Sequence, residues 1–116
     1  MIFDPFDVVV LPFPFADRNE TVMRPAVILS SHAGFGQRSG IAITAMITSA
    51  KRSAWPLDVP ITDLASAGLH VACLVRAKLN SVDYRLIARK TGTIAPPDRA
   101  AISMALRELL GEVLGL

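Results

Sequence analysis

The stretch Asp4-Pro-Phe-Asp-Val-Val-Val-Leu-Pro-Phe-Pro-Phe15 decides how the rest of the chain is read. Its centre, Phe6–Phe13, is apolar and valine-rich, which favours an extended strand over a helix. Pro12 and Pro14 mark the strand's end, because proline cannot donate to a central ladder. Ala16–Glu20 is then a polar turn. Working outward, the same grammar repeats. Pro25–Ser30 reads as a second strand with Arg24 at its entrance, and Ser31–Gly40, with three glycines, as a loop. Ile41–Ile47 is a third strand, apolar almost throughout and so expected to be buried on both faces. Thr48–Trp55 is polar and basic, and Leu57–Ile61 a short strand. Thr62–Gly68 reads as one or two helical turns, with Thr62 as N-cap and Gly68 at the C-terminal end. His70–Val75 is a further strand, Ala77–Leu79 either its continuation or a fifth, and Asp83–Arg89 is ambiguous. Arg89–Ile94 reads as a short strand with a glycine bend.

The C-terminus changes period. Pro96-Pro97-Asp98 starts a helix, since proline is tolerated in the first turn and an acid there complements the helix dipole. Ile102, Leu106, Leu109, Leu110 and Val113 follow helical spacing and predict one apolar stripe. Strands first and one packed terminal helix last point to a compact, mainly β, barrel-like α+β domain spanning residues 1–116.

Composition bounds the function. With 116 residues, 52% apolar and 19% charged, the chain can bury a core of its own and is not a disordered tail. The longest charge-free run, Pro25–Gln37, is too short for a membrane span of about 20 residues. The N-terminus lacks a basic leader, so the cytoplasm is the simplest location. Cys73, the single cysteine, lies in an apolar run and reads as core packing. One cysteine and two distant histidines, His32 and His70, do not make a metal cluster, and no cofactor is expected. The net charge is +2, but Arg24–Lys90 holds nine basic and three acidic residues, a net +6. That asymmetry suits a polyanionic partner as well as an ordinary solvated surface.

The chain has no nucleophile elbow, no Gly-Lys-Ser/Thr phosphate loop and no His-Glu-x-x-His. What remains are polar residues at strand ends. Pro25 restricts Arg24 to extended conformations, and a held guanidinium matches a phosphate. Thr48 and Ser49 are expected to present hydroxyls where Ile41–Ile47 ends, with Lys51 and Arg52 extending the basic edge. Phe13, Phe15 and Trp55 fit core or interface packing as well as stacking on unpaired bases. His32 could titrate near neutrality and serve as a base, or be an ordinary loop histidine.

Read in order, Asp4–Phe15, Met23-Arg-Pro-Ala-Val-Ile-Leu-Ser30, Ala45-Met-Ile-Thr-Ser49, Leu79-Asn-Ser-Val-Asp-Tyr-Arg-Leu86 and Lys90-Thr-Gly-Thr-Ile94 resemble the MazF/PemK toxin family over nearly the whole chain. The resemblance implies an SH3-like small barrel with a C-terminal helix, usually a homodimer. It implies a type II toxin that cuts single-stranded RNA without a metal and is held in check by a cognate antitoxin. The family's active-site arginine and threonine match Arg24 and Thr48. Phe15, Asn19, Ser49, Lys51 and Arg52 are expected to bind the RNA around them. The alternative is a non-catalytic or CcdB-like, gyrase-poisoning module of the same fold. That family relies on a C-terminal tryptophan, whereas the only tryptophan here is Trp55.

Overall fold

The computed structural model describes residues 2–14, 21–51 and 54–116. Six strands are seen: β1 (Asp7–Pro14), β2 (Thr21–Ile28), β3 (Ile41–Ser49), β4 (Val59–Pro60), β5 (Cys73–Asp83) and β6 (Arg89–Thr93). They form one antiparallel sheet in the order β4-β5-β3-β2-β1-β6, curled into a half-barrel. Among the described residues three α-helical segments accompany it, α1 (Gln37–Ser39), α2 (Leu64–Ala67) and α3 (Pro96–Leu114), with a π-helical turn at His32–Gly36 and a 3-10 turn at Tyr84–Leu86. The mainly β fold with a terminal helix is the architecture the sequence pattern implied.

Strand placement follows from what each backbone can donate. β1 lies between β2 and β6, but β6 pairs only with Asp7–Val10. Pro12 and Pro14 sit beyond that ladder, where a missing N–H leaves no central hydrogen bond unmade. Alternation then sorts side chains onto two faces. Val8, Val27, Ala45, Ile47 and Val75 belong to the layer that contains Ile102 of α3. Val9, Leu11, Ala26, Ile28 and Val82 form a second buried layer, joined by Phe3 and Ile87. β3 contributes buried residues to both faces, as its apolar run implied. Cys73 is buried in the helix-side layer, and burial pushes its thiol up from the ordinary range.

Several local expectations are corrected. Arg24 lies inside β2, not at its entrance, because the strand begins at Thr21. Ser31–Gly40 is not a loop. His32–Gly36 makes a π-helical turn that runs into α1, capped by Ser31, whose Oγ accepts the Gly34 N–H at 2.9 Å. Its glycines answer packing and backbone sign rather than looseness. A Cβ at Gly36 would strike the Tyr84 hydroxyl, and Gly40 ends the segment at φ +71°. His70 precedes β5 and is exposed, so it is not a residue of an apolar strand. Ala77–Leu79 continues β5, which bulges opposite Ala45 and Met46. The short strand read over Leu57–Ile61 contracts to Val59–Pro60. Asp63, rather than Thr62, caps α2, accepting the Ser66 N–H at 3.0 Å.

Thr62 instead faces α3. Asp98, in the first turn of that helix, is buried and accepts from Thr62 N–H (3.0 Å), Thr62 Oγ1 (2.7 Å) and Asp63 N–H (3.0 Å). Burial is the largest influence on its carboxyl and raises its pKa. The hydrogen bonds from Thr62 and Asp63 outweigh it, and the net displacement is downward. The apolar stripe of α3 is only half used. Ile102, Ala105 and Leu106 pack on the sheet, but Val113 is 80% exposed and Leu109 and Leu110 remain substantially so.

Asp98→Ala strands two backbone N–H groups and a hydroxyl, so it is expected to lower stability by about 1–3 kcal/mol in urea denaturation at pH 7. An unchanged urea midpoint would show that water replaces the carboxylate at no cost.

Candidate active site

The candidate site is built by the register of two strands. β2 and β3 pair as Ala26↔Met46, Val27↔Ala45 and Ile28↔Thr44. The ladder stops at Ala26, beside Pro25, which has no N–H to give. Both strands run on past that point. Arg24 and Thr48 each lie two residues beyond the last rung, Ala26↔Met46, on their own strands. Arg24 shares a face with Ala26, and Thr48 with Met46, because side chains two apart lie on one side of a strand. The two residues singled out in the sequence therefore come to one face of adjacent strands. Leu11, on the other side of β2, is the cross-strand neighbour of Arg24 and is buried.

Neither side chain stands at an open rim. Arg24 is half-buried with its Nε shielded from solvent. Thr48 keeps only 5% of its surface, so it does not emerge at a strand end as expected but is buried within β3. Ser49 alternates to the other face, opposite Cys73, and its Oγ accepts the Lys51 N–H at 3.3 Å. It shapes the turn that follows β3 and is not brought to Arg24. Lys51 is exposed in that turn. Phe15, Asn19 and Arg52 lie outside the described residues.

His32 is not part of this site. Its Nδ1 lies 3.0 Å from the Tyr84 hydroxyl, and the two rings stack at 5.8 Å. Tyr84 in turn donates its N–H to Gly40 O, just before β3 begins. Thr48 is near the strand's far end, on the order of 20 Å away along the extended chain. Burial first, and the charge of Asp4 second, push the Tyr84 phenol up, so it remains a neutral hydroxyl partner for the ring.

A second group of residues flanks the site. Arg76 stands opposite Met46 in the β3–β5 register, and Leu74 stands opposite Thr48, so Arg76 shares the Thr48 face. Its guanidinium grips Asp58 through Nε–Oδ1 (3.1 Å) and Nη2–Oδ2 (3.0 Å). The side chains are 8% and 11% exposed. Asp58 Oδ2 also accepts the Trp55 N–H at 2.9 Å, and the Arg76 guanidinium lies 5.2 Å from the Trp55 ring centroid. The Arg76 hydrogen bonds hold the Asp58 carboxyl below its ordinary range. Burial opposes them, and the Trp55 N–H adds to the lowering. Sequence reading counted Arg76 and Asp58 only as charges. The signal available was Arg76's place as the one cation among the apolar residues of Val71–Ala77. Among the described residues, no three His, Cys, Asp or Glu side chains come together to hold a metal. No helix there is long and apolar enough to cross a membrane.

Asp58→Ala leaves Arg76 buried without its carboxylate and is expected to cost about 3 kcal/mol in urea denaturation at pH 7. Because the folded carboxyl titrates below its unfolded counterpart, this contribution is complete above about pH 4. It falls away as pH drops through the folded value. The gap between wild type and variant should therefore narrow in acid; a gap that widens below pH 4 would contradict the assignment.

Comparison with known proteins bears on the family and the fold. A family model described as PemK-like, MazF-like toxin of type II toxin-antitoxin system matches residues 4–110. No significant match is found among curated proteins. Among solved structures, a MazE-MazF complex from Deinococcus radiodurans superposes with TM-score 0.74 at 22% identity, covering 96% of this chain and 98% of that one. MazF from the same organism gives TM-score 0.72 at 25% identity, covering 96% and 98%. An endoribonuclease in complex with its cognate antitoxin, from a mycobacterial species, gives 0.72 at 17% identity, covering 95% and 96%. With the family model spanning nearly the whole chain and the half-barrel shared, this chain belongs to the PemK-like, MazF-like family of type II toxins.

Proposed function

We propose that the chain is a metal-independent endoribonuclease acting on single-stranded RNA, with Arg24 and Thr48 as its catalytic residues. The observation that carries the reading is their shared face at the point where the β2–β3 ladder ends beside Pro25. In the proposed reaction the 2′ oxygen attacks the adjacent phosphorus and the bond to the 5′ oxygen breaks. The products are a 2′,3′-cyclic phosphate and a 5′ hydroxyl. The 2′ hydroxyl loses its proton and the departing 5′ oxygen gains one, so the step is balanced without an added reactant.

Arg24 is the charge stabiliser. A guanidinium with a pKa above about 12 does not act as a base. Its fork can bind two phosphoryl oxygens as negative charge builds on them. Thr48 donates its hydroxyl to one of those oxygens. Needing a free 2′ hydroxyl selects RNA over DNA, and needing it in line selects flexible single strands.

The partners follow the same reading. Solved relatives include complexes with MazE and with a cognate antitoxin. A protein antitoxin that covers the Arg24–Thr48 face is proposed here as well, with both proteins working in the cytoplasm. The chain is proposed to be a homodimer, which the exposed half of the α3 stripe favours. Sedimentation at micromolar concentration should give twice the chain mass of 12.4 kDa; a persistent monomer would remove the dimer from the proposal.

Arg24→Ala and Thr48→Val are each expected to slow cleavage of a long RNA by about 100- to 1,000-fold. Circular dichroism should show both variants folded, and wild-type cleavage should persist in excess EDTA. Full activity in Arg24→Ala, or a strict requirement for added magnesium, would overturn the reading.

A further inference from the structure

We infer that Trp55 is a stacking platform for the base of a nucleotide neighbouring the scissile phosphate. The inference rests on the ribonuclease reading and deepens it by naming a residue that holds the substrate. Three observations carry it.

The first is exposure. Trp55, the chain's single indole, is 44% exposed, so part of its surface is open to a ligand. The second is how the ring is held. The Arg76 guanidinium lies over it, 5.2 Å from the ring centroid. The Trp55 N–H is fixed by Asp58 Oδ2 at 2.9 Å, and the Trp55 carbonyl accepts the Asp58 N–H at 3.4 Å. Pro56 further restricts the Trp55 backbone to extended conformations. The Arg76–Asp58 ion pair locks the carboxylate that makes these contacts. An indole fixed at its backbone and backed by a cation loses little freedom when a base settles on it.

The third observation is position. Arg76 is opposite Met46, and Met46 is two residues from Thr48 on the same face. Strand spacing and rise put the Arg76 and Thr48 backbones about 8 Å apart. Trp55 is thus anchored to a residue of the Thr48 face, and the inference sets its ring against the base next to a phosphate seated over Thr48. Stacking needs no particular base, since every base has a π-face, so Trp55 adds affinity more than sequence choice.

The single tryptophan makes the test direct, because intrinsic emission reports Trp55 alone. The probe is an oligoribonucleotide that the wild-type protein cuts, remade with a 2′-deoxy residue at the cut site so that it binds without reacting. Binding is followed separately by anisotropy of an end label. Emission should be quenched along the same saturation curve as the anisotropy. Trp55→Ala should weaken binding roughly 5- to 100-fold, and Trp55→Phe should restore most of the loss. Unchanged emission while the probe binds would overturn the inference and leave the ribonuclease reading intact. So would full affinity in a folded Trp55→Ala. An emission change on protein dilution alone, with none on adding RNA, would place Trp55 in a contact between copies and also overturn it. If the wild-type protein cuts no RNA, the ribonuclease reading itself fails, and this inference falls with it.

Discussion

The register between β2 and β3 is the constraint on which the site depends. One proline with no N–H stands where the ladder ends, and both strands continue past it. The last paired rung, Ala26 against Met46, fixes the phase of everything beyond. A slip of one residue would send either Arg24 or Thr48 to the wrong face, since side-chain direction alternates along a strand. The buried layers resist that slip. Val27, Ala45 and Ile47 are needed on the helix side, and Ala26 and Ile28 on the other. The hydrophobic core thus sets which face Arg24 and Thr48 occupy, and the polar residues inherit their places from their apolar neighbours.

Around this register the sheet supplies rigid supports of different kinds. Asp98 ties α3 to the segment before α2 through three hydrogen bonds. Lys90 reaches Asp7 at 3.0 Å across the β1–β6 edge. Arg76 and Asp58 hold the turn after β3, where the chain leaves the site and returns to β4. A nearly buried ion pair is an expensive way to gain stability, because desolvation offsets much of the attraction. Its geometry does give direction, by fixing the backbone of Trp55 through Asp58 and setting the Arg76 guanidinium against the indole. Stability and site architecture are therefore coupled through residues that touch no substrate themselves.

Much of this was legible in the sequence, for physical reasons that differ by element. Strand β1 and helix α3 announced themselves through valine runs and a proline-led helical period. Arg24 and Thr48 stood out through an ordered set of short motifs, although spacing alone could not show that they share a face. The segment Ser31–Gly40 misled because glycine signals either looseness or close packing. Here the Tyr84 hydroxyl against Gly36 decides for packing. His32 misled for a related reason. A histidine beside glycines looks accessible, whereas its ring is stacked on Tyr84 at the far end of β3. The Arg76–Asp58 pair was invisible because it joins residues that only the β4–β5 pairing brings together. Half of the α3 stripe remains uncovered in one chain, where composition cannot say whether a stripe meets its own sheet or another molecule.

In the proposed reaction an arginine and a threonine on neighbouring strands stabilise the charge that develops when a 2′ oxygen attacks its own phosphodiester. The most direct measurement is the chemistry of the new ends, read by mass spectrometry on a defined RNA and on the same strand with a single 2′-deoxy residue at the cut site. The first strand should give a 2′,3′-cyclic phosphate and a 5′ hydroxyl, and the second should not be cut at that position. A 5′ phosphate, or cleavage that survives loss of the 2′ hydroxyl, would contradict the proposed reaction.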